Sequence, residues 1–383
     1  MSLALITIAV VAAVVLLLFF LRLNRNATPP MARPAAPRAP AAAAVQRQAA
    51  AVPEPAEPPP APAVPAAPPA ALLGFYRRQA DELDPARRET LITELRSIPR
   101  PPRALHKLIS PEFLSRASST ELAELVSAEP VIAAKVMSMV NSPLYQLRTP
   151  VATIGQAVTF LGLNSVRAIC MRYMLEDSFT PKTPELRQLF NQLWHASAVA
   201  TELCARLAQK LQLPDAGALL TQLVLSFLGR FASAALLPAE LAQRVARMDL
   251  LQRSMAEQEF LGLSAAGLTE MLLREWSLPP SLAVDVCAID AILVTPPHPE
   301  DAARDASLAL CYLCARLGEQ LSLNDTPPDL SRVLNSDSAE FHHLQAYLRL
   351  PQLARLPELM QSPDVVRLVQ TLRQSQKAEA QVH

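Results

Sequence analysis

Six histidines are the ligands from which this chain would have to build a hydrolytic metal centre: His106, His195, His298, His342, His343 and His383. Such a centre needs imidazoles and carboxylates converging, often with an adjacent His-Asp pair bridging two metals. No histidine here is followed by Asp, and H-E-x-x-H does not occur. His342 and His343 are neighbours on a predicted helix and so point in different directions. His195 falls on the less apolar side of its helix, where a boundary residue sits. Cys311-x-x-Cys314 puts two thiols on one helix face, but no second pair or nearby histidine completes a zinc or redox site. Ser226 lies in Val224-Leu225-Ser226-Phe227-Leu228-Gly229, without the glycine that precedes the nucleophile in G-x-S-x-G. A hydroxyl in that setting bonds a backbone carbonyl. Neither G-x-G-x-x-G nor G-x-x-x-x-G-K-[ST] occurs, which excludes the common nucleotide-cradling loops. No residue set carries a reaction, so the reading is of a non-enzyme with no metal and no cofactor.

The elements that hold these residues are helices. The chain has 383 residues, 51% hydrophobic but only 5% aromatic, with 8 glycines and 36 prolines. Apolar content carried by Leu, Ala and Val, with little glycine for tight turns, predicts an all-α protein. Residues 73–383 hold 30 Lys+Arg against 33 Asp+Glu, a net of −3, so no nucleic-acid footprint is expected. The five cysteines, Cys170, Cys204, Cys287, Cys311 and Cys314, are scattered through apolar helical stretches and read as core thiols of a reducing compartment.

Three regions follow one another. Leu3–Leu21 is apolar apart from Thr7, long enough to cross a ~30 Å hydrocarbon core. Met1-Ser2 lacks the basic start of a cleaved signal peptide. Arg22, Arg25, Arg33 and Arg38 all follow the apolar run, which predicts a single-pass anchor over 3–23 with everything after it cytoplasmic. Residues 24–72 are dominated by Ala and Pro, with 14 prolines between Ala27 and Ala70, and are expected to be a disordered linker. A helical lead-in over 73–97 then opens the body. Eight positives against five acids between Arg77 and Lys107 read as a solvated helix face.

Start signals mark the body's helices. Ser110-Pro111 is an N-cap with proline at the first helical position. Ser118 with Glu121, and Thr153 with Gln156, form capping boxes. Gly162 closes the second of these helices and Asn164 is placed to cap the next. Leu186, Leu189, Leu193, Ser197, Ala200, Cys204, Leu207 and Leu211 keep the rhythm of one buried face. Ala218–Leu237 is apolar nearly all round, broken by Gln222, Ser226 and Arg230, and reads as a central helix buried by its neighbours.

Residues 98–290 resemble the HDOD domain, the HD-related output domain of bacterial signalling proteins. The resemblance is carried by Ile98-Pro99, Glu129-Pro130-Val131 through Lys135-Val136, and Val140-Asn141-Ser142-Pro143-Leu144-Tyr145. It continues through Ile154-Gly155-Gln156-Ala157-Val158, Leu161-Gly162-Leu163, Leu193-Trp194-His195-Ala196-Ser197 and Trp276-Ser277-Leu278-Pro279. It implies a compact helical fold related to the HD metal-dependent phosphohydrolases, and action through protein–protein interaction, sometimes linked to cyclic dinucleotide pathways. Where the resemblance would place His-Asp, this chain has Ser226-Phe227. Where it would place two further histidines, the chain has Ala196 and Ala265. Glu129 stands where an N-capping Asp is usual, and Thr269 where glycine is.

The expectation is therefore a membrane-anchored, non-catalytic signalling or scaffold protein of the bacterial inner membrane. Its cytoplasmic body would bind an unidentified signalling protein through the corner marked by Asn141, Ser142, Tyr145 and Gln156. A helical extension over 291–383 completes the chain. The alternatives are a divergent HD-type phosphohydrolase and a cyclic-dinucleotide-binding regulator.

Overall fold

Helix start signals written along the chain become the observed caps. In the computed structural model, which describes residues 67–383 apart from 146, 299, 325–329, 331–333, 335–337 and 383, the Ser110 and Ser118 hydroxyls accept from the Phe113 and Glu121 amides at 3.2 Å each. Side chains are described as far as residue 374. The predicted anchor and all but the last residues of the predicted linker lie outside the described residues. The body reaches back into that linker: helix α1 (Ala70–Leu73) buries Leu72, the first aliphatic side chain after the Ala/Pro tract.

Among the described residues there is no strand. The lead-in carries α2 (Pro85–Arg96), capped by Asp84. Then come α3 (Arg103–Leu108), α4 (Pro111–Arg116), α5 (Ser119–Ser127), α6 (Pro130–Val140), α7 (Ile154–Leu161) and α8 (Leu163–Glu176). Gly162 adopts φ +86 to join α7 to α8, a conformation that side-chain-bearing residues rarely take. Asn164 therefore does not cap α8: the helix has already begun at Leu163, and the Asn164 side chain lies against Gly217 instead. Glu129 caps nothing through its side chain, as its replacement of Asp implies.

The centre is α9 (Pro184–Leu211) packed along α16 (Ala302–Leu323). All but the last of the predicted α9 stripe is buried, Leu211 being half-exposed. Close approach is possible because small residues meet: a Cβ on Gly318 would lie 2.3 Å from the Ala196 carbonyl oxygen. The apolar stretch expected as one helix is two, α10 (Ala216–Ser226) and α11 (Leu228–Leu236), parted at Phe227. The stretch is long and apolar enough by composition to cross a membrane, but 78% of it is buried inside the body. α12 (Ala239–Ala246), α13 (Leu250–Phe260), α14 (Ala265–Glu275) and α15 (Pro280–Ala291) follow, with α14 packed on α11. Phe179, Phe190, Trp194, Phe231 and Trp276 form an aromatic cluster here, with Trp194 stacked on Phe231 at 3.9 Å.

Two attachments lie outside this centre. In the lead-in, Arg77 donates to the Cys287 carbonyl (3.1 Å), Arg78 to that of Gly262 (3.2 Å), and Arg87 to those of Phe260 and Leu261 (3.1 and 3.2 Å). Three positives expected on a solvated face instead donate to carbonyls, Arg78 and Arg87 at the C-terminal end of α13, where a cation also complements the helix dipole. At the other end, α17 (Leu344–Tyr347), α18 (Leu356–Met360) and α19 (Pro363–Val382) complete the chain. α19 packs against α9 and α16 and against the short 3-10 turn Pro143–Tyr145.

Candidate functional site

Ala196, Ser226-Phe227 and Ala265 sit on α9, at the α10–α11 break and at the start of α14. None of them presents a ligand: the Ser226 hydroxyl donates to the Leu223 carbonyl at 2.8 Å. The ground around them is occupied by buried charge. Glu319, next to the Gly318 that rests on Ala196, pairs with Arg230, with Arg253 at 3.2 Å and with Arg316 at 3.4 Å. Arg316 also faces Asp290 at 3.6 Å. Arg230 donates to the Ala246 carbonyl at 3.3 Å, and Glu257 accepts from the Ala265 amide at 2.6 Å. These arginine–carboxylate contacts tie α11, α13, α15 and α16 together, and Glu257 extends them to the first amide of α14.

The electrostatics of this network are one-sided. Burial by itself would push the Glu319 carboxyl up, but Arg230, Arg253 and Arg316 outweigh it and hold it down to about 2. Burial lowers the Arg230 guanidinium to about 10, and the neighbouring Arg253 adds to that. For Arg316, Glu319 and Asp290 outweigh burial and raise it. Glu257 and Glu340 are both pushed up by burial. Glu319 is a carboxylate saturated by guanidinium, and arginine does not release its proton in this range. Glu319 is thereby held ionised and committed to its three arginines. Among the described residues, no three His, Cys, Asp or Glu side chains are placed to hold a metal ion.

A cavity of about 230 Å³ opens beside the network, lined by Asp249, Arg316, Glu319, Gln320 and Glu340 among others. Glu340 accepts from the Leu250 amide at 2.9 Å, so it is already committed to the start of α13.

The four residues expected to face a partner take two different roles. Asn141 bonds both ways to Val151, its amide donating at 2.9 Å and its carbonyl accepting at 2.8 Å. Thr153 accepts from the Gln156 amide, but the Gln156 side chain reaches past the cap to accept from Ala152 at 2.7 Å. The expected reciprocal box is therefore half formed, because the loop offers Ala152 closer. Asn141 and Gln156 are exposed and pin the same loop. The Ser142 hydroxyl is buried with no hydrogen-bond partner. Tyr145 turns inward: its hydroxyl donates to Glu202 at 3.5 Å, across a cavity of about 30 Å³ that Arg172 and Leu372 also line. That volume holds about one water.

His195 is half-buried beside this cavity. Its Nδ1 lies 2.8 Å from the Ser322 hydroxyl, and burial, with Arg172 nearby, lowers its pKa to about 4. His342 and His343 lie in a turn rather than on a helix, and their rings approach to 4.9 Å edge to face. Cys204 joins Cys311 and Cys314 in the core, where burial raises its thiol well above the usual range. The charged network was not foreseen from sequence. Its one signal was Arg230, the only charge in the longest apolar run.

The model of the HDOD domain family matches residues 98–291, and the chain belongs to that family. Among solved structures, an HDOD domain protein of unknown function from Geobacter sulfurreducens is 20% identical, with a TM-score of 0.54, over 74% of this chain and 97% of that one. A candidate phosphohydrolase from Shewanella amazonensis SB2B is 18% identical, with a TM-score of 0.48, over 74% and 97%. A candidate signal transduction protein from Marinobacter aquaeolei VT8 is 18% identical, with a TM-score of 0.49, over 80% and 63%. The first of these supports the fold. No curated protein matches the chain.

Proposed function

We propose that this chain is a membrane-anchored, non-catalytic HDOD signalling scaffold. Its N-terminal apolar run would lie in the bacterial inner membrane and its body in the cytoplasm, acting by binding a signalling protein. The observation that carries the reading is the occupancy of the would-be metal centre. Arg230, Arg253 and Arg316 converge on Glu319, whose neighbour Gly318 rests on Ala196, and Glu257 accepts from the Ala265 amide. Three guanidinium groups at close range, with Glu319 committed to them, oppose binding of the divalent ions that an HD-type reaction requires. The exposed Asn141 and Gln156, which hold one loop rigid, offer a preformed surface for a protein partner.

The test uses the full chain in detergent, analysed for bound Mn, Fe and Zn and assayed against phosphomonoesters, phosphodiesters and cyclic dinucleotides. Sub-stoichiometric metal and no turnover are expected. One equivalent of metal with hydrolysis that chelators abolish would overturn the proposal.

A further inference from the structure

The C-terminal helix α19 lies beyond the residues matched by the family and touches the corner that a partner would need. Three of its side chains are fully engaged: Val365, Val369 and Leu372 are 0%, 7% and 3% exposed. Their spacing, i, i+4 and i+7, is that of an amphipathic helix laid in a groove. The groove floor is α9 and α16, and one wall is the Pro143–Tyr145 turn. After Leu372 the sequence runs Arg-Gln-Ser-Gln-Lys-Ala-Glu-Ala-Gln, with no large apolar residue before Val382. The described anchors of this 20-residue helix fall in its first half, from Val365 to Leu372.

The fit beneath those anchors is imperfect. Leu372 caps the cavity that holds the Tyr145 hydroxyl and the Glu202 carboxyl, whose hydrogen bond is long at 3.5 Å. Burial pushes the Glu202 carboxyl up, so an aliphatic cap is keeping a carboxyl from water. The pairing of Lys210 with Asp364, at 3.1 Å, adds only a partly exposed, salt-screened contact. These are features of an occupant that can leave: few anchors, a polar floor that gains hydration on release, and weak ionic support.

We infer that α19 is an internal occupant of a helix-binding groove on α9 and the Pro143–Tyr145 turn, and that a partner's amphipathic helix with aliphatic side chains at i, i+4 and i+7 displaces it. The inference rests on the scaffold reading for its biological use, but not for its physical test. Release of α19 uncovers Tyr145, Arg172 and Glu202, so the site for the partner includes the inward-facing Tyr145 as well as the exposed Asn141.

The probe is a fluorescent peptide of residues 363–382, titrated into the full chain and into the full chain carrying Val365→Asp, Val369→Asp and Leu372→Asp together. With its own helix released, the variant should bind the peptide at least about tenfold tighter than the wild type, because a blocked site reduces apparent affinity by the fraction open. A scrambled peptide should bind neither. Equal affinity for both chains, or α19 still protected from exchange in the variant, overturns the inference. A second measurement needs no variant: in the wild type, amides of α19 should exchange well before those of α9. Exchange of both helices only on global unfolding would also overturn it. Metal-dependent hydrolysis would sink the scaffold reading while leaving the peptide result intact.

Discussion

Gly229 on α11 and Ala265 on α14 approach so closely that a Cβ on Gly229 would lie 1.7 Å from the Ala265 carbonyl oxygen. Thr269 completes the contact, accepting from the Gly229 amide at 2.8 Å while donating to the Ala265 carbonyl at 3.0 Å. The threonine that stands where the family has glycine thus satisfies a donor at the start of α11. This crossing also closes the space at one of the replaced ligand positions.

Gly229→Ala should therefore destabilise strongly, at or above the upper end of the ~1–3 kcal/mol typical of overpacking, since backbone rather than a flexible side chain must move. Gly162→Ala meets no neighbour but must hold φ +86. Its cost should be smaller, about 1 kcal/mol. Thermal unfolding of the two variants ranks them, and the reverse order would contradict the crossing described here.

Glu319→Gln leaves Arg230, Arg253 and Arg316 buried without a full counter-charge. A loss of about 3–5 kcal/mol is expected, the usual cost of removing one member of a buried ion network. Adding Arg230→Met to Glu319→Leu should cost less than the two single changes summed. A double-mutant cycle by denaturant unfolding reads the coupling, and additivity would show that the pair does not interact.

Acid should loosen the α9–α19 contact before it unfolds the body. His195 titrates at about 4 when buried against an ordinary 6.5. Its contribution is thus fully present above pH 6.5 and is lost as pH falls toward 4. The full shift corresponds to about 3 kcal/mol as a ceiling. Arg172 on α8, Ser322 on α16 and the Leu372 backbone on α19 face the ring, and protonation places like charges together beside Arg172. Glu202 is raised by burial, so it contributes the opposite way and only near and above its ordinary range. Lower protection factors, measured exchange corrected for its intrinsic pH dependence, are expected in α19 as pH falls from 6.5 to 5, and His195→Gln should remove that dependence.

Glu319 titrates at the other extreme. Held at about 2 against 4.5, it stabilises the fold above pH 4.5 and stops doing so as pH falls through 2. Glu257 and Glu340, raised by burial, cost stability at neutral pH, and that cost is relieved as pH falls toward 4.5. The network should therefore survive mild acid, with unfolding of the wild type below about pH 3 that Glu319→Gln largely loses.

Arg87→Ala removes two hydrogen bonds from a cation to helix-end carbonyls. A cost of about 1.5–3 kcal/mol is expected, expressed locally as faster proteolysis of residues 67–97. Unchanged cleavage would mean that Arg77, Arg78 and the buried leucines hold the lead-in without Arg87.

Local signals in the chain determined much of this protein. Apolar spacing and low glycine dictated helices, and Ser110, Ser118, Thr153 and Gly162 marked where several begin or end, because caps and turns depend on residues within a few positions. The framework motifs from Ile98 to Pro279 were likewise legible, and with them the loss of ligands at Ala196, Ser226-Phe227 and Ala265. What filled the place of those ligands was not legible. Glu319 meets Arg230 and Arg253 across 89 and 66 residues, and buried charges attract only once packing has excluded water and brought the helices together. Tyr145 divides the same way: an aromatic ring at that corner is expected to bury with its hydroxyl bonded. Only the tertiary fold supplied Glu202 as the partner and laid α19 beside it, because Val365, Val369 and Leu372 at the far end of the chain pack there.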